Sequence, residues 1–311
     1  MAARAVLVAL VLCALALTET SAQDTTASVV VMKSANVGPY EEALHGFKAT
    51  LRHRVVAELD LEGDVERGRK FIADVQGRMK PDLVFALGPW ALQAVVGHAG
   101  NVPVVYAMVL NPPSIVGAET KNVTGASMNV PVEQSIRLFK QLGPKIRRIG
   151  VVFSPAKTGY LVRRATAVAT EEGLQLVAKE IRTVKDAIPA LDGVLEEGVD
   201  ALWIVPDEVV LGPGVVQQML LVSYRKKIPL VGLSEAHAQQ GALLALSFAS
   251  SEDIGRQAGE LATSIVQGKA PGEIPYTVAR QLKLIVNLKA AQKLGVDVPK
   301  SLLDKATTVI R

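Results

Sequence analysis

The chain has 311 residues, 49% apolar and 21% charged, with 25 Gly and 16 Pro. It can bury more core than one domain usually holds, and it is not a disordered, collagen-like or coiled-coil chain. The net charge of +4, from 34 basic and 30 acidic residues, is spread singly or in short groups such as Arg147-Arg148 and Arg225-Lys226-Lys227, so nucleic acid is not a partner to expect.

Residues 1–22 predict a secretory signal. Arg4 gives a sparse basic start, Ala5 to Leu17 is an apolar run, and Thr20-Ser21-Ala22 offers small residues before Gln23. The run stops at Thr18-Glu19, short of the about 20 residues a spanning helix needs, so a mature chain beginning near Gln23 is expected. The single cysteine, Cys13, lies in that run behind Leu12, and lipid attachment there would need a small preceding residue. A free periplasmic or secreted protein without thiols follows, which excludes disulfides and thiolate catalysis.

From Ser28 onward, short runs rich in Val, Ile and Leu alternate with segments of helical period, the pattern of a parallel α/β sheet. Strands are predicted at Ser28 to Met32, Val55 to Leu59, Leu83 to Leu87, Val104 to Ala107, Ile149 to Phe153, Leu176 to Ile181, Ala201 to Val205, Leu230 to Gly232 and Leu243 to Ser247. Their continuous apolar character predicts helices on both faces. Helix starts are legible at Gly38-Pro39-Tyr40-Glu41-Glu42 and again at Pro131 with Glu133, where proline and acids suit a first turn. Gly173 and Gly295 mark helix ends.

Three segments of the first half recur in order about 120 residues on. SVVVMKSANVGPYEEALHGF carries Ser34 and Tyr40, and RRIGVVFSPAKTGYLVRRAT carries Ser154 and Tyr160 at the same spacing. PDLVFALGP is echoed by VDALWIVPD, and NVPVVYAMV by KIPLVGLSE. One echo could be chance, but three in order indicate two similar lobes, with a cleft beyond the carboxyl ends of their strands.

Residues at those ends are the candidate ligand contacts. Ser34 and Ser154 either hydrogen-bond a ligand or cap the following turn. Tyr40 and Tyr160 either close over a ligand or pack on their own lobe. Trp90 offers a flat apolar wall or packs beneath its loop. Asp207 and Glu235, together with Glu208, could pair an ammonium group. Asp207 is the first choice, and because it lies in a loop its removal is expected to leave the fold intact. Asn111, Met128, Asn129 and Phe248 fill the remaining strand ends, and Trp203, in mid-strand, reads as core. Hydroxyl and amide donors opposite acids suit an amino-acid-like zwitterion.

Enzyme signatures are missing. No G-x-G-x-x-G follows Val31, no G-x-x-x-x-G-K-[ST] occurs, and Gly125-Ala126-Ser127 lacks the closing glycine of G-x-S-x-G. His45, His53, His98 and His237 share no metal spacing. Asn122-Val123-Thr124 reads as a turn before a strand rather than a glycosylation acceptor. No enzyme activity, cofactor or metal is expected.

The chain resembles the substrate-binding proteins of a bacterial ABC transporter family that includes tryptophan and tyrosine binders. The likeness is carried by KIRRIGVVFSP, GVDALWIVPDE, KIPLVGLSE, GALLALSF, DIGRQAGELATSIVQGKAPGEIP and LKLIVNLKAAQKLGVDVP, and in the first half by GFKATL, PDLVFALGPWALQAV and NVTGASMNVPVEQSI. It implies the type I periplasmic binding fold, two Rossmann-like lobes joined by three hinge crossings. The expected first lobe holds residues 24–126 plus 249–272, the second 127–248, with 273–311 assigned to neither. The resemblance also implies a monomer that captures a small solute, closes by hinge motion and docks on a membrane ABC permease. A sensory subunit reporting a solute to a membrane receptor is the second reading. Asn111-Pro112 stands where that family tends to have Asp-Pro, and Thr120-Lys121 where it has Gly-Gly. Both border the expected cleft, so the solute need not be one of the family's aromatic amino acids.

Overall fold

The computed structural model describes residues 26–117 and 120–311, so the predicted signal with Cys13 lies outside the described residues. The chain builds two sheets. The first contains β1 (Ala27–Lys33), β2 (His53–Asp60), β3 (Leu83–Leu87), β4 (Val104–Val109) and β5 (Val123–Ser127), all parallel, in the order β2-β1-β3-β4-β5. The second contains β6 (Arg148–Phe153), β7 (Gln175–Glu180), β8 (Ala201–Trp203), β9 (Leu230–Gly232) and β10 (Leu244–Phe248), parallel in the matching order. It is extended by an antiparallel β11 (Leu282–Asn287) and by β12 (Thr308–Ile310). The repeat in the sequence is therefore a repeat of topology, strand for strand from β1–β5 to β6–β10.

The helices are α1 (Gly38–Lys48), α2 (Val65–Arg78) and α3 (Pro89–Val95), then α4 (Val132–Gln141), α5 (Pro155–Glu171), α6 (Ala187–Glu196), α7 (Val215–Lys226) and α8 (Glu235–Gln240). They are followed by α9 (Ser251–Val266), α10 (Leu288–Leu294) and α11 (Lys300–Leu303). In the first lobe, β1 and β3 are buried on both faces, as their unbroken apolar runs require. One face packs Val29, Val31 and Phe85 against Phe47 of α1 and Ile254 and Ala258 of α9, and the Phe47 ring stacks on Phe85 with centroids 3.9 Å apart. The other face packs Val30 and Met32 against Ile72 of α2 and Leu92 of α3. Helices α1 and α9 meet through Gly46, Gly255 and Gly259, so their backbones approach closely.

The sequence marks strand β5 only as a strand after the Asn122-Val123-Thr124 turn, without limits, and the observed strand already includes Val123 and Thr124. Val-Thr-Gly-Ala-Ser has no apolar run, and Gly125 is required because a Cβ there would lie 2.4 Å from the Tyr106 carbonyl oxygen. The chain passes between sheets three times, at residues 128–131, 249–250 and 278–281. These passages are bonded to one another: Ala279 N–H donates to Asn129 O and Ala249 N–H to Gln281 O. Among the described residues no helix is long and apolar enough to cross a membrane.

A candidate ligand site between the lobes

The end of β4 is built irregularly. Its pairing with β5 slips between Ala107 and Val109, and Met108 (φ 59°) and Asn111 (φ 52°) take left-handed backbone angles that non-glycine residues seldom adopt. Asparagine tolerates this because its short polar side chain bonds locally. Such strain gathers at clamps and binding sites, held by its surroundings. Here Asn111 N–H donates to Asn129 Oδ1 at 2.9 Å, and Asn129 N–H in turn donates to Ser127 Oγ at 2.8 Å.

From this platform Asn111, 2% exposed, reaches the second lobe. Its Nδ2 donates to the Lys157 carbonyl at 3.1 Å, and its Oδ1 accepts from the Tyr160 hydroxyl at 2.7 Å, both on α5. Asn129 and Tyr276 bond the same hydroxyl. Burial and then the neighbouring Tyr276 push the Tyr160 phenol up, so it remains a donor. Beside this cluster, where the first crossing meets the second lobe, lies a cavity of about 30 Å³ lined by Leu110, Met128, Trp203, Pro206 and Leu233 among others. It has room for roughly one water.

The other expected contacts fall into separate groups. Ser34 and Tyr40 stay on the first lobe: Ser34 Oγ accepts from Ala91 N–H, capping α3, and the Tyr40 hydroxyl bonds Ser34. Trp90 is 47% exposed, with its ring beside Gly63. Glu235 opens α8 and pairs with Lys283 at 3.4 Å. Glu208 pairs with Lys157 at 2.8 Å.

Asp207 departs from expectation. It is fully buried, and its carboxylate accepts from Ser154 N–H, the Thr158 hydroxyl, Val209 N–H and Val210 N–H, all within the second lobe. A carboxylate with four donors is a fixed part of the scaffold, and no lone pair is directed to an ammonium group. Its loop position in sequence concealed this, because three of the four donors are backbone groups. Thr158 and Tyr276 are the other participants the sequence did not single out. Thr158, four residues after Ser154 on one helix face, was findable by spacing, whereas nothing in periodicity marks Tyr276. Among the described residues no group of three His, Cys, Asp or Glu side chains is placed to hold a metal ion.

Behind Leu233, His237 Nδ1 accepts from Leu233 N–H at 3.1 Å, so the ring must be neutral at that nitrogen. Burial lowers its pKa below the ordinary 6.5. Above that value the ring is neutral in both folded and unfolded chains. As the pH falls below it, the unfolded chain takes up the proton first, and stability declines until the folded pKa is passed. Thermal melts from pH of about 8 to about 5 should show this loss, and His237→Gln should flatten that part of the profile.

Residues 51–310 match the ABC transporter substrate binding protein family. The chain is similar to the tyrosine-binding protein of Clostridioides difficile (strain R20291), 27% identical over 256 residues that span 78% of this chain and 71% of that protein. Among solved structures it resembles an ABC domain in complex with L-Trp from Streptococcus pneumoniae, with TM-score 0.64 and 23% identity over 92% of this chain and all of that one. It also resembles the ligand-free, open structure of a substrate binding protein with adhesive properties from Clostridium difficile, with TM-score 0.67 and 20% identity over 92% of this chain and 99% of that one.

Proposed function

The chain belongs to the ABC transporter substrate binding protein family and has the type I periplasmic binding fold, and we propose that it is the periplasmic solute-binding component of an ABC importer. In this reading the signal at residues 1–22 directs export. The mature monomer then captures a small solute between its lobes, closes on it and delivers it to a membrane permease, with no covalent chemistry. The permease distinguishes the closed, loaded shape, which the solute must bind more tightly than the open one.

The observation that carries this reading is the junction of Asn111, on a strained strand end of one lobe, with Lys157 and Tyr160 on the other. Ordered donors and acceptors from both lobes converge there. The solute is an amino acid or a related zwitterion, a class supported by the tyrosine-binding relative and the L-Trp complex. Asn111 and the start of α5 from Ser154 to Tyr160 provide neutral donors and acceptors, Ser34, Tyr40 and Trp90 the wall of the first lobe, and Glu235 the carboxylate of the second.

Native mass spectrometry of the purified protein followed by thermal-shift screening of amino acids tests this. A solute at 100 times its Kd should add about 2.7 kcal/mol of stability. Stabilisation by neutral or anionic solutes alone would reject the zwitterion, and turnover of any solute would reject a purely binding role.

A further inference from the structure

We propose that the first lobe carries a second ligand site, a pocket at the outer edge of β5 that takes a small uncharged ring compound with one acceptor oxygen, such as a cyclic ketone or lactone, held by the Tyr106 hydroxyl. It goes beyond the reading above. Its walls come from the first lobe and from the segment 271–276 that runs along the edge of that lobe, with no residue of the second sheet or its helices.

The buried phenol provides the first argument. Tyr106 is 2% exposed, and its ring lies directly over its pairing partner Gly125, where a Cβ would fall 2.5 Å from ring atoms. Because β5 is the edge strand, the far end of the ring lies at the sheet edge, within electrostatic reach of Tyr276 and Tyr160. Those two hydroxyls bond each other, whereas the Tyr106 hydroxyl has no hydrogen-bond partner among the described residues. Buried tyrosines ordinarily find one. Phenylalanine would pack over Gly125 equally well, so the hydroxyl is the part of this side chain that the core does not account for. Burial raises its pKa, so it stays protonated and able to donate.

The second argument is the pocket that Tyr106 lines, about 230 Å³, with Pro112, Pro113, Val116, Pro275 and Tyr276 among its other walls. An apolar cavity of about 150 Å³ is enough for benzene, so a six-membered ring and its oxygen fit. Proline and tyrosine rings offer flat apolar faces, and no charged side chain is among the described lining residues. A charged ligand would lose its water without gaining a counter-ion, which selects an uncharged one. Thr124 Oγ1 already donates to Ile274 O, and the Tyr276 hydroxyl is engaged with Tyr160. Tyr106 is then the buried donor left for a single acceptor.

The third argument is that the walls are fixed before a ligand arrives. Thr277 N–H donates to Gly125 O at 2.9 Å and Ser127 N–H to Thr277 O at 2.8 Å, which pins the outer segment to β5. Thr124 Oγ1 adds its bond to Ile274 O at 2.8 Å. Prolines at 112, 113, 271 and 275 hold their own backbone angles. A pre-formed pocket loses little entropy on binding.

Titration of the purified, methyl-labelled protein with cyclohexanone, followed by NMR, tests the site. The methyls of Val116, Val123 and Ile274, which line the pocket, should shift with a Kd on the order of 1 mM, while Ile149 in the core of the second lobe stays unmoved. Cyclohexylamine and cyclohexanecarboxylate, the same ring bearing a charge of either sign, should shift none of them. Tyr106→Phe should weaken cyclohexanone binding about fivefold, the weight of one hydrogen bond, yet unfold in urea no sooner than the parent, since it removes an unpartnered group. Unchanged affinity in Tyr106→Phe, equal binding of all three probes, or no shift at the lining methyls would overturn the site. A Tyr106→Phe protein less stable than its parent would overturn it too, because the hydroxyl would then serve an ordered water only. Each of these results leaves the importer reading standing, and failure to find a transported solute leaves this pocket standing.

Discussion

Gly255→Ala should destabilise the first lobe by about 3 kcal/mol or more, although alanine is the better helix former by about 1 kcal/mol. The cause is contact between backbones. A Cβ on Gly255 would fall 1.8 Å from the Ala43 carbonyl oxygen and 2.6 Å from its carbon, and Gly46 faces Glu252 O in the same way at 2.0 Å. No rotamer relieves this, so α9 must lift from α1 and expose Ile254, Ala258, Ala262 and Ile265, with Phe47 and Leu44 opposite them. Gly77→Ala is the control, since on α2 nothing lies within 4 Å of the added carbon; it should be neutral or stabilising by up to about 1 kcal/mol. Urea unfolding measures both. A Gly255→Ala protein as stable as its parent would mean that the two helices do not approach as described.

Asp207→Ala should cost about 4 kcal/mol, because it strands donors rather than merely deleting a charge. Oδ2 accepts from Ser154 N–H at 2.8 Å and from the Thr158 hydroxyl, and Oδ1 from Val209 N–H at 2.9 Å and Val210 N–H at 3.3 Å. One side chain thereby joins the β6–α5 turn to the loop after β8, with charge-assisted bonds in a dry setting. Asp207→Asn keeps one acceptor and replaces the other with a donor facing donors, so it should fall between the parent and Asp207→Ala. Unfolding curves decide the matter. Unchanged stability combined with lost solute binding would return Asp207 to the role of ligand contact.

The contrast between Asp207 and the strands shows what a sequence conveys here. Strands β3 and β9 coincide with their predicted limits, Leu83–Leu87 and Leu230–Gly232, because an unbroken apolar run between turn residues has one good use in an α/β chain. The limits of strand β5 were not legible because its burial comes from Tyr106 beside Gly125 and from Thr277 bridging Ala126, partners remote in sequence. Strand β11, antiparallel in an otherwise parallel neighbourhood, falls outside the repeat. At the site, position was legible and partnership was not. Ser34 and Tyr160 both lie near strand ends as expected, yet one caps α3 and the other bridges the lobes. The spacing that made Tyr40 and Tyr160 look alike records their common scaffold, whereas their hydroxyls follow the residues that happen to face them.

Helix α9 completes the hydrophobic layer over β1, β3 and β4, but it is encoded after the entire second lobe. A chain delivered amino-terminus first therefore presents Val29, Val31, Leu44, Phe47 and Phe85 with part of their cover missing until residue 266 arrives. The second sheet waits in its turn for β11 to cover the edge of β10. Both halves are thus completed late, the first once α9 ends at Val266 and the second once β11 ends at Asn287, and a nascent or truncated chain ending before Ser251 carries a bare apolar face of the kind that associates with other chains.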